Sequence, residues 1–266
     1  MSQTATREGR FFRQPMNQCG DRVKDYLGAV SASFCPYIEP SDLRNLLLFS
    51  EYAIDVRDEE SLCRNLFYVG LIHTEILRAD RLRIGEKKGS LLASENMIFD
   101  GEFINQIEGE HVFRWPHWLL KVLYTDMGLL FGKFWKGERV KSRDGREVPA
   151  PPVHLLSVRS AVKPVDSRFF EITPELLESH ASSFDDGAIF VFPMSADTRE
   201  VLDLIRSSTR SGIEHPSVIE LCVRCERTSL FRDCLKEVIS RETVLYSGRS
   251  FIQNRFGHLA GESDAR

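Results

Sequence analysis

Residues 115–170, WPHWLLKVLYTDMGLLFGKFWKGERVKSRDGREVPAPPVHLLSVRSAVKPVDSRFF, read as a helix, a strand, a charged loop and a second strand. Trp115-Pro116 predicts the helix start, because proline in the first turn lacks only an N–H that has no intrahelical partner. Leu119, Leu120, Leu123 and Met127 then recur at helical spacing, and Gly128 predicts the end. The run Leu129 to Trp135 is apolar and aromatic apart from Gly132 and Lys133, as in a largely buried strand where Gly132 marks a bulge or a close backbone approach. Lys136 to Val148 is a polar loop with the turn pair Asp144-Gly145. After Pro149, Pro151 and Pro152, the alternation from Val153 to Val162 predicts a strand. It places His154, Leu156, Val158 and Ser160 on one face and Leu155, Ser157 and Arg159 on the other.

Upstream, residues 1–17 are polar and predict a frayed, flexible N-terminus, followed by a short amphipathic helix over Asp21 to Val30 and a turn at Phe34 to Tyr37. Ser41 suits the N-cap of a helix from Asp42 to Tyr52, although LLLFSEY in that span also fits a strand. Glu59 to Arg81 is the clearest helix, with Leu62, Leu66, Val69, His73 and Ile76 on one stripe. Gly85 to Gly89 reads as a basic turn, and Leu91 to Ile107, lacking a clean period, as weak strands and loop.

Downstream, Thr173-Pro174 opens a helix to about Ser182. From residue 188 the pattern runs strand, helix, strand, helix, strand up to Ile252, with a mobile tail over 257–266. The expected fold class is α+β: one mixed sheet flanked by helices, with a helical N-terminal part, in a single domain over residues 18–256.

The 35 basic and 39 acidic side chains give a net charge of -4, and no basic stripe is interleaved with aromatics, which argues against nucleic acid as a partner. No apolar run approaches bilayer length and the N-terminus has no apolar leader core, so the expectation is a cytoplasmic protein without membrane contact. The six cysteines are then expected to be reduced. Cys35 reads either as a reactive thiol or as a buried structural one. Cys222 and Cys225, with Cys234 as an imagined third ligand, look like a metal pair. On a strand, however, positions three apart face opposite sides, so no metal site is expected.

Hydrolase, phosphate-loop and zinc-protease signatures are absent from the sequence. The chemistry-bearing residues of the central stretch are its histidines and charges. His117 in the first turn of its helix and His154 in an apolar setting both favour a neutral ring, the form a ligand or base requires. Lys133 and Arg159, charged residues inside strands, lie at an exposed edge or face an anionic ligand group such as a carboxylate. Asp166 reads as an ion-pair partner of Arg159 or Arg168.

Cys35-Pro36-Tyr37, Leu120-Lys121, Gly128 to Phe134, Pro152 to Arg159 and Asp166 to Phe169 together resemble the motifs of an uncharacterised bacterial family, a domain of unknown function often found among natural-product genes. That family is distantly similar to the YqcI/YcgG-like haem proteins, some of which are N-oxygenases acting on guanidino groups. The resemblance implies a biosynthetic, oxygenase-type enzyme with a small amino-acid-like substrate. Haem is the implied cofactor, for which His117 or His154, read above as neutral, would be the ligand; in a cofactor-free enzyme Arg159 and Asp166 would take catalytic acid/base roles. Lys133, Trp135 and Arg159 would bind substrate. Trp135 stands where a histidine tends to close this strand in both groups. The alternatives are therefore a binding or accessory protein on the same fold, or a cofactor-free biosynthetic enzyme.

Overall fold

The computed structural model describes residues 13–54, 56–85, 89–170 and 174–185. The expected elements from residue 188 onward, the Cys222 and Cys225 pair and the tail lie outside the described residues. So does the middle of the basic turn after Gly85.

Among the described residues five strands form one mixed sheet in the order β1-β2-β3-β5-β4. In chain order the elements are β1 (Arg13–Pro15), α1 (Asp21–Ser33), α2 (Ile38–Asp42), β2 (Leu47–Ala53), α3 (Glu59–Ile84), β3 (Ser94–Asp100), α4 (Glu102–Gln106), α5 (Gly109–Tyr124), β4 (Leu129–Phe134), β5 (His154–Ser160) and α6 (Pro174–Ser182). Among the described residues only β2 and β3 run parallel, joined by α3, and the other pairs are antiparallel. This is the expected α+β architecture. Arg13–Pro15 pairs along β2 as an edge strand, inside the stretch read as a frayed N-terminus.

Period-two alternation gives the sheet two buried faces. Met97 and Phe99 of β3, Phe131 of β4, and Leu156 and Val158 of β5 pack with α3 and α5 in the larger core cluster. Leu47, Phe49, Ile98 and Leu155 point the other way, onto Val23, Tyr26 and Leu27 of α1. The sheet is thus the middle of three layers. At about 25 cal/mol per Å² of apolar surface, both interfaces contribute to holding it.

Two expectations need correction here. Of the two readings of LLLFSEY the strand holds and the helix from Asp42 to Tyr52 does not: Leu47–Ala53 is β2, because Leu47 and Phe49 alternate into the core beneath α1. Ser41 instead sits inside α2, its hydroxyl donating to the Tyr37 carbonyl at 2.6 Å. Within Leu91 to Ile107, read as weak strands and loop, Ser94–Asp100 is the central strand, buried from Ser94 to Phe99. Its polar residues obscured it. The Asn96 amide donates to Leu48 O at 3.0 Å and to Ser94 Oγ at 3.1 Å, while Ser157 Oγ donates to Asn96 Oδ1 at 2.8 Å. Polar groups bonded in this way are compatible with burial.

The helix expected from Trp115 begins at Gly109, so Pro116 is interior. That proline removes one intrahelical bond. Packing offsets the loss: Val112, Phe113, Trp115, Leu119, Leu120 and Leu123 are buried. Gly128, at φ 68, turns the chain into β4 as expected. Gly132 pairs with Ser157 in unbroken register, so there is no bulge. What approaches it closely is the ring of Phe134. The expected helix from Glu59 is α3, capped by Asp58, whose carboxylate accepts from the Ser61 N–H at 2.7 Å.

Candidate functional site

α5 lies against β4, and their facing sides bring together three of the expected residues, His117, Lys133 and Trp135, with one that sequence reasoning passed over, Lys121. His117 and Lys121 are four residues apart on α5 and so share a face. The His117 Nε2–H donates to the main-chain oxygen of Phe131 at 3.1 Å. A carbonyl only accepts, so the ring proton is on Nε2 and Nδ1 keeps its lone pair. Burial pushes the His117 pKa down to about 4, opposed by the Phe131 contact and reinforced by the charges of Lys133 and Lys121. The ring is neutral at pH 7, as expected, but for a different reason. Because the helix starts at Gly109, His117 is well inside it, and desolvation rather than the helix dipole holds off the proton.

Both lysines feel the same environment. Burial, followed by the charge of Lys133, pushes Lys121 down to about 8. Its ammonium donates to Phe169 O at 2.9 Å and lies 4.8 Å from the centre of the Phe170 ring and 5.9 Å from that of Trp118. Lys133 is also lowered, chiefly by burial, with Glu110 and Glu138 opposing. Its ammonium lies 5.7 Å from the centre of the Trp135 ring. Two desolvated cations, a neutral imidazole and aromatic planes make a setting that stabilises an anionic group joined to a flat or apolar body.

His154 lies on the same face of the sheet. Lys133 stands opposite Leu156, two residues along β5 from His154. The ring is 4% exposed and sits 6.3 Å from that of Phe113. Its Nδ1 has no hydrogen-bond partner among the described residues. Burial lowers its pKa, helped by Lys136 and opposed by Asp100.

Arg159 and Asp166 are elsewhere, on and beyond the face of β5 turned to α1. They form a two-pronged pair, NH1 to Oδ2 at 2.7 Å and NH2 to Oδ1 at 2.8 Å. The guanidinium also donates to Ser160 O at 2.8 Å and stacks over Tyr37 at 4.9 Å. Asp166 Oδ2 accepts from the Val162 N–H at 2.6 Å. Burial would raise the Asp166 pKa, but the Arg159 and Val162 bonds outweigh it and hold the carboxyl low. The fork of Arg159 is thus filled by this chain's own carboxylate, which is the ion pair considered from the sequence.

A second buried polar group escaped the sequence reading because its members come from three elements. Tyr52 Oη and His73 Nε2 are 2.5 Å apart, and His73 Nδ1 is 3.0 Å from Glu95 Oε2. Beside them, Arg78 joins Glu75 and Asp185, and Tyr124 donates to Glu75 at 2.9 Å. Among the described residues no three His, Cys, Asp or Glu side chains gather to hold a metal ion. No described helix is long and apolar enough to cross a membrane.

No protein-family model, curated protein or solved structure gives a significant match to the chain.

Proposed function

We propose that the protein is a biosynthetic enzyme acting on a small amino-acid-like molecule held between α5 and β4. The convergence of His117, Lys121 and Lys133 carries this reading. A substrate carboxylate lies against the two ammonium groups, whose charge is poorly solvated and so gains from a counter-ion. Trp135 and Trp118 cover the apolar part of the substrate. His117 Nδ1 is the base. While the site is empty, the neighbouring cations disfavour the imidazolium. A bound anion offsets them, so proton uptake at Nδ1 follows substrate binding.

The experiment is a melting-temperature screen of amino acids and their decarboxylated amines, repeated with Lys133→Met and His117→Gln. Stabilisation by the carboxylates alone, lost in the lysine variant and kept in His117→Gln, is the expected pattern. Equal shifts from acids and amines, or shifts that survive Lys133→Met, would rule the site out.

The haem-dependent oxygenase reading rests on one observation, the unpartnered and buried Nδ1 of His154. A single neutral imidazole can bind a haem iron, so the donor chemistry fits, and His154 would be the residue that holds it. When bound, haem supplies oxygen activation. Lys133, on the same face, would orient the substrate carboxylate. Expression with added haem, followed by an absorption spectrum of the wild type and His154→Ala, decides it. A stoichiometric Soret band that shifts in the variant supports this reading, and colourless wild-type protein ends it.

A further inference from the structure

Across the sheet from β4, residues of β2, α3 and β3 form a continuous hydrogen-bonded chain that plays no part in the proposed α5 site. Glu95, on the central strand, is 1% exposed and His73 is fully buried. A carboxylate accepts, so the 3.0 Å contact puts the imidazole proton on Nδ1. Nε2 is then an acceptor, and the partner 2.5 Å away is the Tyr52 hydroxyl. Acid, imidazole and hydroxyl stand in the order used wherever a carboxylate-oriented histidine activates an oxygen.

Two further observations point to Tyr52 as the end of this chain at which a ligand would meet it. Tyr52 is partly exposed while its two partners are buried. It also lies near the carboxyl end of β2, in the parallel β2-β3 pair, the end at which open sheets with such crossovers bind ligands. The ring of Tyr52 stacks on Phe99 at 5.7 Å and 25°, and Ile54 and Val56 follow it as half-buried apolar neighbours.

We propose that Tyr52, His73 and Glu95 form a second proton-transfer site, in which Tyr52 is the base for a hydroxyl- or amine-bearing small molecule with an aromatic body. The ligand O–H or N–H proton passes to Tyr52 Oη as the phenolic proton passes to His73 Nε2. The ligand is left with one proton fewer, a hydroxyl as its oxyanion and an ammonium as the neutral amine, Tyr52 is neutral again, and the imidazolium is held by Glu95. Tyr52 is the catalytic residue, and His73 and Glu95 act through it. The surroundings of Tyr52 are aromatic and aliphatic, which selects the ligand body. The hydroxyl selects the acidic proton.

An electrophile reads the activation directly. With phenylmethanesulfonyl fluoride on the full chain, an S–O bond forms at Tyr52, the S–F bond breaks, fluoride leaves with the electron pair, and the phenolic proton goes to His73. We expect Tyr52 to be modified at least about ten-fold faster than N-acetyltyrosinamide, mapped by peptide mass spectrometry. We expect His73→Gln to slow it by about ten-fold or more, and Glu95→Gln to slow it less. A purely structural network would not accelerate the reaction. If His73→Gln fails to fold, the wild-type comparison with the free amide decides alone. Reaction at the rate of the free amide, no reaction at Tyr52, or undiminished reaction in a folded His73→Gln would overturn the proposal.

Discussion

Gly109, the first residue of α5, lies so close to Trp135 that a Cβ on it would stand 2.1 Å from the Trp135 Cβ. The contact fixes the end of β4, and with it Lys133, against the helix that carries His117 and Lys121. Gly109→Ala is therefore expected to displace Trp135 and cost about 1–3 kcal/mol, the usual range for overpacking. Urea unfolding measures the loss and tryptophan fluorescence the displacement. An alanine variant as stable as wild type, with an unchanged spectrum, would show that the contact is not tight.

The depressed pKa of His117 makes folding sensitive to acid. Its ordinary value is 6.5 and its folded value about 4, so between them the unfolded chain binds a proton that the folded chain refuses. Stability then falls as pH drops through that window, by up to ~1.4 kcal/mol per pH unit from this residue. His117→Gln, which keeps an N–H for Phe131, is expected to flatten that part of the curve. Unfolding at pH 7.5, 6 and 5 tests it, and parallel curves for both proteins would refute it.

Lys121, pushed down to about 8, is expected to be the more reactive amine at mild pH. Competitive acetylation with trace acetic anhydride should show Lys121 half-reactive near pH 8, well below the ordinary lysine value of 10.5. Lys133→Met removes the neighbouring charge that adds to burial in lowering it, so the midpoint should rise in that variant. A midpoint at the ordinary lysine value in wild type would contradict the environment described above.

Asp166 is fully buried and Arg159 supplies most of its compensation. Arg159→Met is expected to cost about 3 kcal/mol or more, because it strands a buried carboxylate, whereas the double variant Arg159→Met/Asp166→Leu should recover much of that loss. The Asp166 carboxyl is held low in the folded state, so its stabilisation is complete above the ordinary carboxylate range and is lost as pH falls through the folded value. Chemical denaturation of the three proteins distinguishes the cases. A neutral Arg159→Met would mean that water reaches Asp166.

How legible each element was followed from how locally its pattern was set. α3 announced itself through its stripe, and β4 and β5 through their apolar runs and alternation, because each buries a continuous face. β3 did not, because Ser94, Glu95 and Asn96 are made compatible with the interior by Leu48, His73 and Ser157, partners far away in the chain. For the same reason, His73, read simply as one position of the apolar stripe of α3, gave no hint that it joins Tyr52 to Glu95. His117, Lys133 and Trp135 were each singled out because they lie within one 19-residue run of helix, turn and strand, although the sequence did not join them into one site. Lys121, on the same helix, entered only as part of a motif and not as a site residue, because a lysine on an amphipathic helix usually lies in water.

The order of strands also bears on how the protein is made. β3 is flanked by β2, which precedes it, and by β5, which emerges from the ribosome only after β4 and the long polar loop. Until Ser160 has been synthesised, the most deeply buried strand has one side unpaired. A nascent or prematurely terminated chain therefore presents its stickiest edge to whatever is nearby. Truncations between Tyr124 and His154 should accumulate as aggregates or chaperone clients, even though α1, α3 and α5, which face the sheet, are already complete.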